Sequence, residues 1–205
     1  MHSGLTRTPL WSAEHLTKEN VRLASQLVRV NVFKPEINLP NNERAELKDY
    51  SRSGYDRGHL SPNGDMPNEE AQYESFSLSN IVPQNPDNNR HLWSNIESMT
   101  RKLAIKEGEI FVITGPLFID AQISFLNNRV AIPTHLFKAI YNPKLGMGGV
   151  YLSKNDLNRM AQVISIAELE AMAGINFFPS MSVQVKQTIL PMPKPLDRGR
   201  KRKKS

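Results

Sequence analysis

Tyr55-Asp56-Arg57-Gly58-His59-Leu60-Ser61-Pro62 is the stretch on which the reading of this chain turns. It is followed by Leu78-Ser79-Asn80-Ile81-Val82-Pro83-Gln84 and then by Asn88-Asn89-Arg90-His91-Leu92-Trp93-Ser94-Asn95-Ile96-Glu97. A histidine beside Arg57 and Asp56 suits a general base with a cation at hand for phosphate. Gly58 lets the backbone turn so that its neighbours converge. Asn85-Pro86-Asp87 marks a helix start, with Asn as cap and Pro at the first helical position, and Gly108 suits the C-terminal cap. On that helix Asn89, Trp93, Glu97 and Arg101 recur every four residues. Each step advances about 40°, so the four form a slanting ridge. Near the helix start, the amide oxygen of Asn89, with Glu97 two turns on and ordered water, suits a hard cation, since Mg²⁺ takes few protein ligands. Asn88 and Asn89 point about 100° apart on a regular helix, so only one can face His59, and a one-residue irregularity would exchange them.

Each segment alone also fits a plainer role. Asp-Arg-Gly-His suits a turn with an ion pair and a satisfied histidine, and the ridge suits a polar helix face anchored by Trp93. Charge does not decide the matter. The 205 residues carry a formal +6, but residues 194–205 hold seven basic side chains and one acid, which is the whole excess. The preceding 193 residues hold 19 of each sign. Alternating prolines in Leu190-Pro-Met-Pro-Lys-Pro exclude a helix there and favour an extended exit. The expected organisation is therefore one domain over residues 1–190, with a Pro-rich and then basic disordered tail over 191–205. With no cysteine there is neither a disulfide framework nor a thiolate zinc site, and no apolar run has the length of a membrane span.

The remaining pattern predicts mixed helices and strands without a βαβ rhythm, hence an α+β fold. Strands are expected over 10–16, 109–114 (ended by Gly115-Pro116), 130–141 and 149–152. Thr17 should cap a helix running to about Leu27, with Val21, Ala24, Leu27 and Val28 on one face. Residues 31–55, with Pro35, Pro40 and Asn41-Asn42, read as irregular connection. Ser165 and Glu168 form a capping box for a short helix to Ala173, stopped by Gly174.

Together, Asp56 to His59, an asparagine thirty residues beyond the histidine (Asn89) and a glutamate eight further on (Glu97) resemble the signature of the DNA/RNA non-specific endonuclease family. The resemblance runs from about Thr8 to Phe178. It implies a ββα-metal (His-Me finger) fold, with two strands presenting His59 and the helix of Asn89 crossing behind them. It implies a nuclease in which His59 takes a proton from the attacking water. Mg²⁺, or Mn²⁺ in its place, would sit on Asn89 as Lewis acid, with Glu97 holding the metal through water. Arg57 and Arg101 would neutralise phosphate charge, leaving 5′-phosphate and 3′-hydroxyl ends. Asp56, Asn80 and the upstream Arg29 are carried over on the substrate side, Asp56 by holding Arg57 or the local fold. By the same resemblance the first strand of the family domain lies outside the sequence, and the setting is secreted or periplasmic. The expected partners are DNA and RNA and no membrane, with a homodimer and an inhibitor protein left open. A non-catalytic nucleic-acid binder on the same fold is the alternative, and a nuclease domain of a larger toxin-like effector is a third.

Overall fold

A computed structural model describes residues 1–195 of the chain. Two short strands, β1 (His2–Ser3) and β2 (Thr8–Pro9), pair antiparallel ahead of β3 (Ser12–Thr17). Thr17 caps α1 (Lys18–Ala24), its hydroxyl accepting from the Asn20 N–H at 3.0 Å. α1 buries Val21 and Ala24 and stops there, a turn earlier than expected, which leaves Val28 85% exposed. The Ser25 hydroxyl donates to the Arg22 carbonyl at this end, and the β-branched residues Val28, Val30 and Val32 beyond it favour extended backbone. The connection that follows is mostly irregular and holds one short helix, α2 (Leu47–Tyr50).

β4 (Asp56–His59), a 3₁₀ turn at Asn63–Asp65, α3 (Glu69–Ser75) and β5 (Ile81–Gln84) come next. β4 and β5 pair antiparallel with His59 opposite Ile81. The predicted helix then begins with the Asn85 side chain accepting from the Asp87 N–H at 2.9 Å. It opens with a π-helical turn, Asn88–Trp93, and continues as α4 (Ser94–Glu107) to Gly108 at φ 100°.

The rest of the chain is β6 (Glu109–Leu117), β7 (Phe125–Leu126), β8 (Val130–Ala131), β9 (His135–Asn142), β10 (Met147–Lys154), β11 (Ala161–Ile164), α5 (Ile166–Ala173) and α6 (Val183–Gln187). β6 runs through Gly115-Pro116 instead of ending before it. Gly115 permits this because the Leu10 carbonyl and the Phe137 ring each lie 2.7 Å from where a Cβ would stand. Residues 130–141 form two strands, β8 and β9, not one, with Pro133 falling between them. The capping box at Ser165 and Glu168 and the left-handed Gly174 stand where the sequence puts them.

β11-β10-β9-β6-β3 form one antiparallel sheet with both faces covered. On one face Leu16, Val112, Leu136, Ile140 and Tyr151 meet Val21 of α1, Val82 of β5 and Trp93 and Ile96 of the helix. On the other, Ile113, Phe137, Ala139 and Val150 meet Ile166 and Leu169 of α5. The fold is α+β, and β4, β5 and the helix after them make its ββα unit. The Pro-rich segment does not leave at residue 191. Leu190 is 2% exposed, its N–H donates to Gly148 O at 2.7 Å, and Tyr151 Oη donates to Pro193 O at 2.7 Å. Residues 196–205, most of the expected basic tail, lie outside the described residues. Among the described residues no helix is long and apolar enough to cross a membrane.

The π-helical turn settles which of two adjacent asparagines faces inward. Asn88 is fully buried, accepts from Gln84 Nε2 at 2.7 Å and donates to Ser153 Oγ at 3.1 Å and Lys154 O at 2.7 Å. Gln84 reaches it by lying across Gly58, where an added Cβ would stand 2.0 Å from Gln84 Oε1. The Asn88 amide thus ties the helix start to β5 and β10 and leaves Asn89 for the cavity in front. Asn88→Ala removes three hydrogen bonds, two of them buried, and strands their partners, so a loss of about 3 kcal/mol in denaturant unfolding is expected. A loss below about 1 kcal/mol would show the tie to be slack.

Candidate active site

A cavity of about 280 Å³ opens between β4 and the helix. Arg29, Arg57, His59, Asn89, Glu97 and Arg101 all line it. Five of these six come from the two quoted segments and the ridge, and Arg29 comes from the extended stretch after α1.

His59 is set in an aromatic box. Its ring lies 5.4 Å from Phe33 and 5.0 Å from Phe76, and those two rings meet edge-on at 4.9 Å. Backbone bonds tie the two segments, from Lys34 N–H to Phe76 O at 3.2 Å and from Leu78 N–H to Lys34 O at 2.8 Å. Burial pushes the His59 pKa down to about 3, and the Arg29 charge adds to this, so the imidazole is neutral throughout the physiological range. Nε2 is sealed from solvent without a hydrogen-bond partner. The guanidinium of Arg57 sits 5.0 Å over the Phe33 ring and that of Arg29 5.3 Å over Phe76. The same two phenylalanines therefore position the base and both cations beside it.

Asp56 does not hold Arg57, as was one expectation for it. It accepts from Asn89 Nδ2 at 3.0 Å and, through both oxygens, from Arg90 at 2.6 and 2.8 Å. Burial alone would raise its pKa, but these bonds more than reverse that and leave it below the usual carboxylate range. With its NH₂ so engaged, Asn89 keeps Oδ1 for a ligand. Asn80 stands apart from this group. It does not line the cavity, and its amide is spent on Ser61 N–H (3.0 Å), Ser61 O (2.9 Å) and Ser75 O (2.9 Å). It clamps the turn after His59.

Behind the cavity lies a cluster of charges. Arg101 donates to Asp65 Oδ1 at 2.7 Å. The Lys138 ammonium, on a residue with 0% exposure, donates to Thr114 Oγ1 at 2.6 Å and acts on Glu14, Asp65 and Glu97 together. Burial raises the Glu97 pKa to about 7 despite Lys138, Arg101 and Arg29. Burial, with the Asp65 charge next, raises that of Glu14 to about 8. Neither Glu14 oxygen makes a hydrogen bond of ordinary geometry. Glu14, Asp65 and Lys138 come together only through the fold. The legible signal was Lys138 itself, alternating with Leu136 and Ile140 on one strand face. Phe33 and Phe76 carried no signal.

The donors fit a hard divalent cation. An amide oxygen faces the cavity beside a buried carboxylate whose negative charge the existing cations do not fully offset, a lack that a bound cation would make up. Among the described residues no trio of His, Cys, Asp or Glu is placed to hold a metal, so a cation here would take its remaining ligands from outside the protein.

The ββα unit carries a histidine on its strand and an asparagine on its helix, as the resemblance to the DNA/RNA non-specific endonucleases implies. Residues 1–184 match the family model described as DNA/RNA non-specific endonuclease, and the chain belongs to that family. It is 35% identical over 201 residues to the mitochondrial nuclease EXOG of Danio rerio, a match covering 87% of this chain and 58% of that protein. It is 38% identical over 154 residues to the mitochondrial nuclease 1 of Schizosaccharomyces pombe, covering 69% of this chain and 48% of that one. The chain thus spans about half the length of these relatives. A crystal structure of an EndoG/EndoGI complex, concerned with EndoG inhibition, superposes with a TM-score of 0.81 at 28% identity, covering 90% of this chain and 84% of that one. Both sequence relatives are named as mitochondrial, so the secreted or periplasmic expectation finds no support in them.

The Glu14 carboxyl binds its proton more tightly in the folded chain than its ordinary value of 4.5 allows in the unfolded one. Its contribution to stability is therefore complete below about 4.5 and is lost as pH rises through about 8. Glu14→Gln should raise the thermal midpoint by about 5 °C at pH 8.5 and by no more than about 1 °C at pH 5. An equal change at both pH values would contradict the assignment.

Proposed function

We propose that the protein is a metal-dependent endonuclease that hydrolyses phosphodiester bonds in DNA and RNA to 5′-phosphate and 3′-hydroxyl ends. The observation that carries this is the convergence of a neutral histidine, four arginines, an amide oxygen and a buried carboxylate on one cavity. His59 takes the proton of the attacking water, and it does so at Nδ1 because Nε2 is sealed off. The aromatic box keeps the ring unprotonated and fixed in plane. Arg57, Arg101 and Arg29 set the scissile phosphate before the histidine and balance the charge it gains, as preorganised donors do. Asn89 would hold the metal directly and Glu97 through water, with Asp56 turning the Asn89 oxygen towards it. When bound, Mg²⁺ or Mn²⁺ supplies Lewis-acid stabilisation to the phosphoryl and leaving-group oxygens. Contacts to phosphate and sugar carry no sequence information, which supports action on both nucleic acids with little base preference. The EndoG/EndoGI structure supports an inhibitor protein as a further partner.

Supercoiled plasmid and RNA, each incubated with Mg²⁺ and with EDTA, test this reading. The parent should cut both only with metal, and His59→Ala should cut at least about 100-fold more slowly. Cleavage by the variant at the parent rate removes His59 as base, and cleavage in EDTA removes the metal. A parent that retains both nucleic acids and cuts neither is a binder, not a nuclease.

Because Glu97 titrates near 7, Mg²⁺ affinity should rise with pH as that carboxyl loses its proton. The apparent Kd at pH 6 should be about tenfold weaker than at pH 8, and Glu97→Gln should abolish the difference. A pH-independent Kd in the parent would remove Glu97 from the metal's surroundings.

A further inference from the structure

On the far side of Arg57 lies a second cavity, of about 470 Å³, and it shares Arg29, Arg57 and Asn89 with the first. Its outer wall is the turn between α2 and β4, with Arg52 at the lip and Tyr50, Tyr55 and Phe33 along the sides. Asp56 also lines it, but that carboxylate is already claimed by Arg90 and Asn89. The free charge of the cavity is therefore positive.

Arg52 is out of place by backbone rules. Its φ is 55°, in the left-handed region that favours glycine, and Gly54 two residues on has φ 79°. The turn is held there by Ser53, whose hydroxyl donates to Tyr50 O at 2.9 Å and accepts from the Tyr55 N–H at 3.2 Å. Stability alone would put glycine at position 52. The arginine there is exposed, and among the described residues it forms no ion pair with a carboxylate. A side chain kept in an unfavourable backbone conformation at the mouth of a cavity points to a ligand.

Resting on the nuclease reading above, we propose that this second cavity is a subsite for the phosphate flanking the scissile one in a polynucleotide, with Arg52 as its cation. The two cavities meet at Arg57, so a ligand filling both must present anions in series along one backbone, as a nucleic acid strand does. The half-buried Tyr55 on the wall suits the sugar and base between two phosphates, because every base offers a face for stacking. The subsite makes this chain a better catalyst on strands than on single phosphodiesters, without adding base preference.

The test compares a trinucleotide, with two phosphodiesters, to a dinucleoside monophosphate, with one. The parent should show a higher kcat/KM on the longer substrate, and Arg52→Gly should reduce that preference about fivefold, mainly through KM. Arg52→Lys should keep most of it. A preference in Arg52→Gly within twofold of the parent, or an Arg52→Lys as impaired as the glycine variant, overturns the proposal. Glycine relieves the backbone at this position, so a thermal midpoint at or above the parent's shows that the variant is folded. A second arm does not depend on cleavage. Binding of a labelled oligothymidylate in EDTA should lose about 0.7 from its log–log salt slope in Arg52→Gly. An unchanged slope overturns the subsite even if the nuclease reading stands, and a reduced slope supports it even if the parent cuts nothing.

Discussion

The Lys138 ammonium is the charge around which this molecule is arranged. It sits on the central strand β9 with no exposure, bonded to Thr114 on β6, beneath the Trp93 ring at 5.9 Å. Three acids that act on it come from three layers, Glu14 from the edge strand, Asp65 from the turn after β4 and Glu97 from α4. An unpaired buried charge is strongly destabilising, whereas one shared among several acids fixes how the elements that carry them sit. The sheet, the His59 turn and the helix thus each bring an acid into the field of one cation, and the cavity lies in front of it. Arg101 extends the arrangement forward, with one face on Asp65 and the other on the cavity.

Two environments meet at that cavity. On the β4 side, aromatic rings strip water from His59 and hold its pKa far down, while the same rings support the Arg57 and Arg29 guanidiniums. On the helix side, burial holds the Glu97 carboxyl up. Desolvation therefore disfavours charge on both a base and an acid, a few side chains apart, and an anion beside the one with a cation beside the other would relieve both. Groups whose environments push their pKa values apart in this way are those that acid–base chemistry uses.

Much of this could be read from the chain before any coordinates. The Asp-Arg-Gly-His run, the helix start at Asn85-Pro86 and the Asn89–Glu97–Arg101 spacing all name local features, and local features leave marks at fixed offsets. Asn88 against Asn89 was decided by a π-helical turn, for which the residues give no sign, since one extra residue per turn depends on Gln84 and Lys154 arriving from elsewhere. The clamp that Asn80 makes after His59 was not legible, because its position in the motif says nothing about the backbone groups that claim its amide. Glu14, Asp65, Phe33 and Phe76 were illegible for the same reason, as their roles exist only across long separations. Strand ends were misjudged where glycine and proline were read as stops, although Gly115 instead lets a carbonyl and a ring approach.

The position of Lys138 in the chain has a consequence for how the protein is made. Synthesis from the amino end delivers His59, Asn89 and the whole of α4 by residue 107, and β3 then waits for β6 to supply its partner. Until β9 emerges, Glu14, Asp65 and Glu97 have no ammonium behind them, and their burial is unfavourable. Such long separations make folding slow, because the loop must close before its contacts form. A nascent chain can therefore carry every residue that touches the cavity and still lack the cavity.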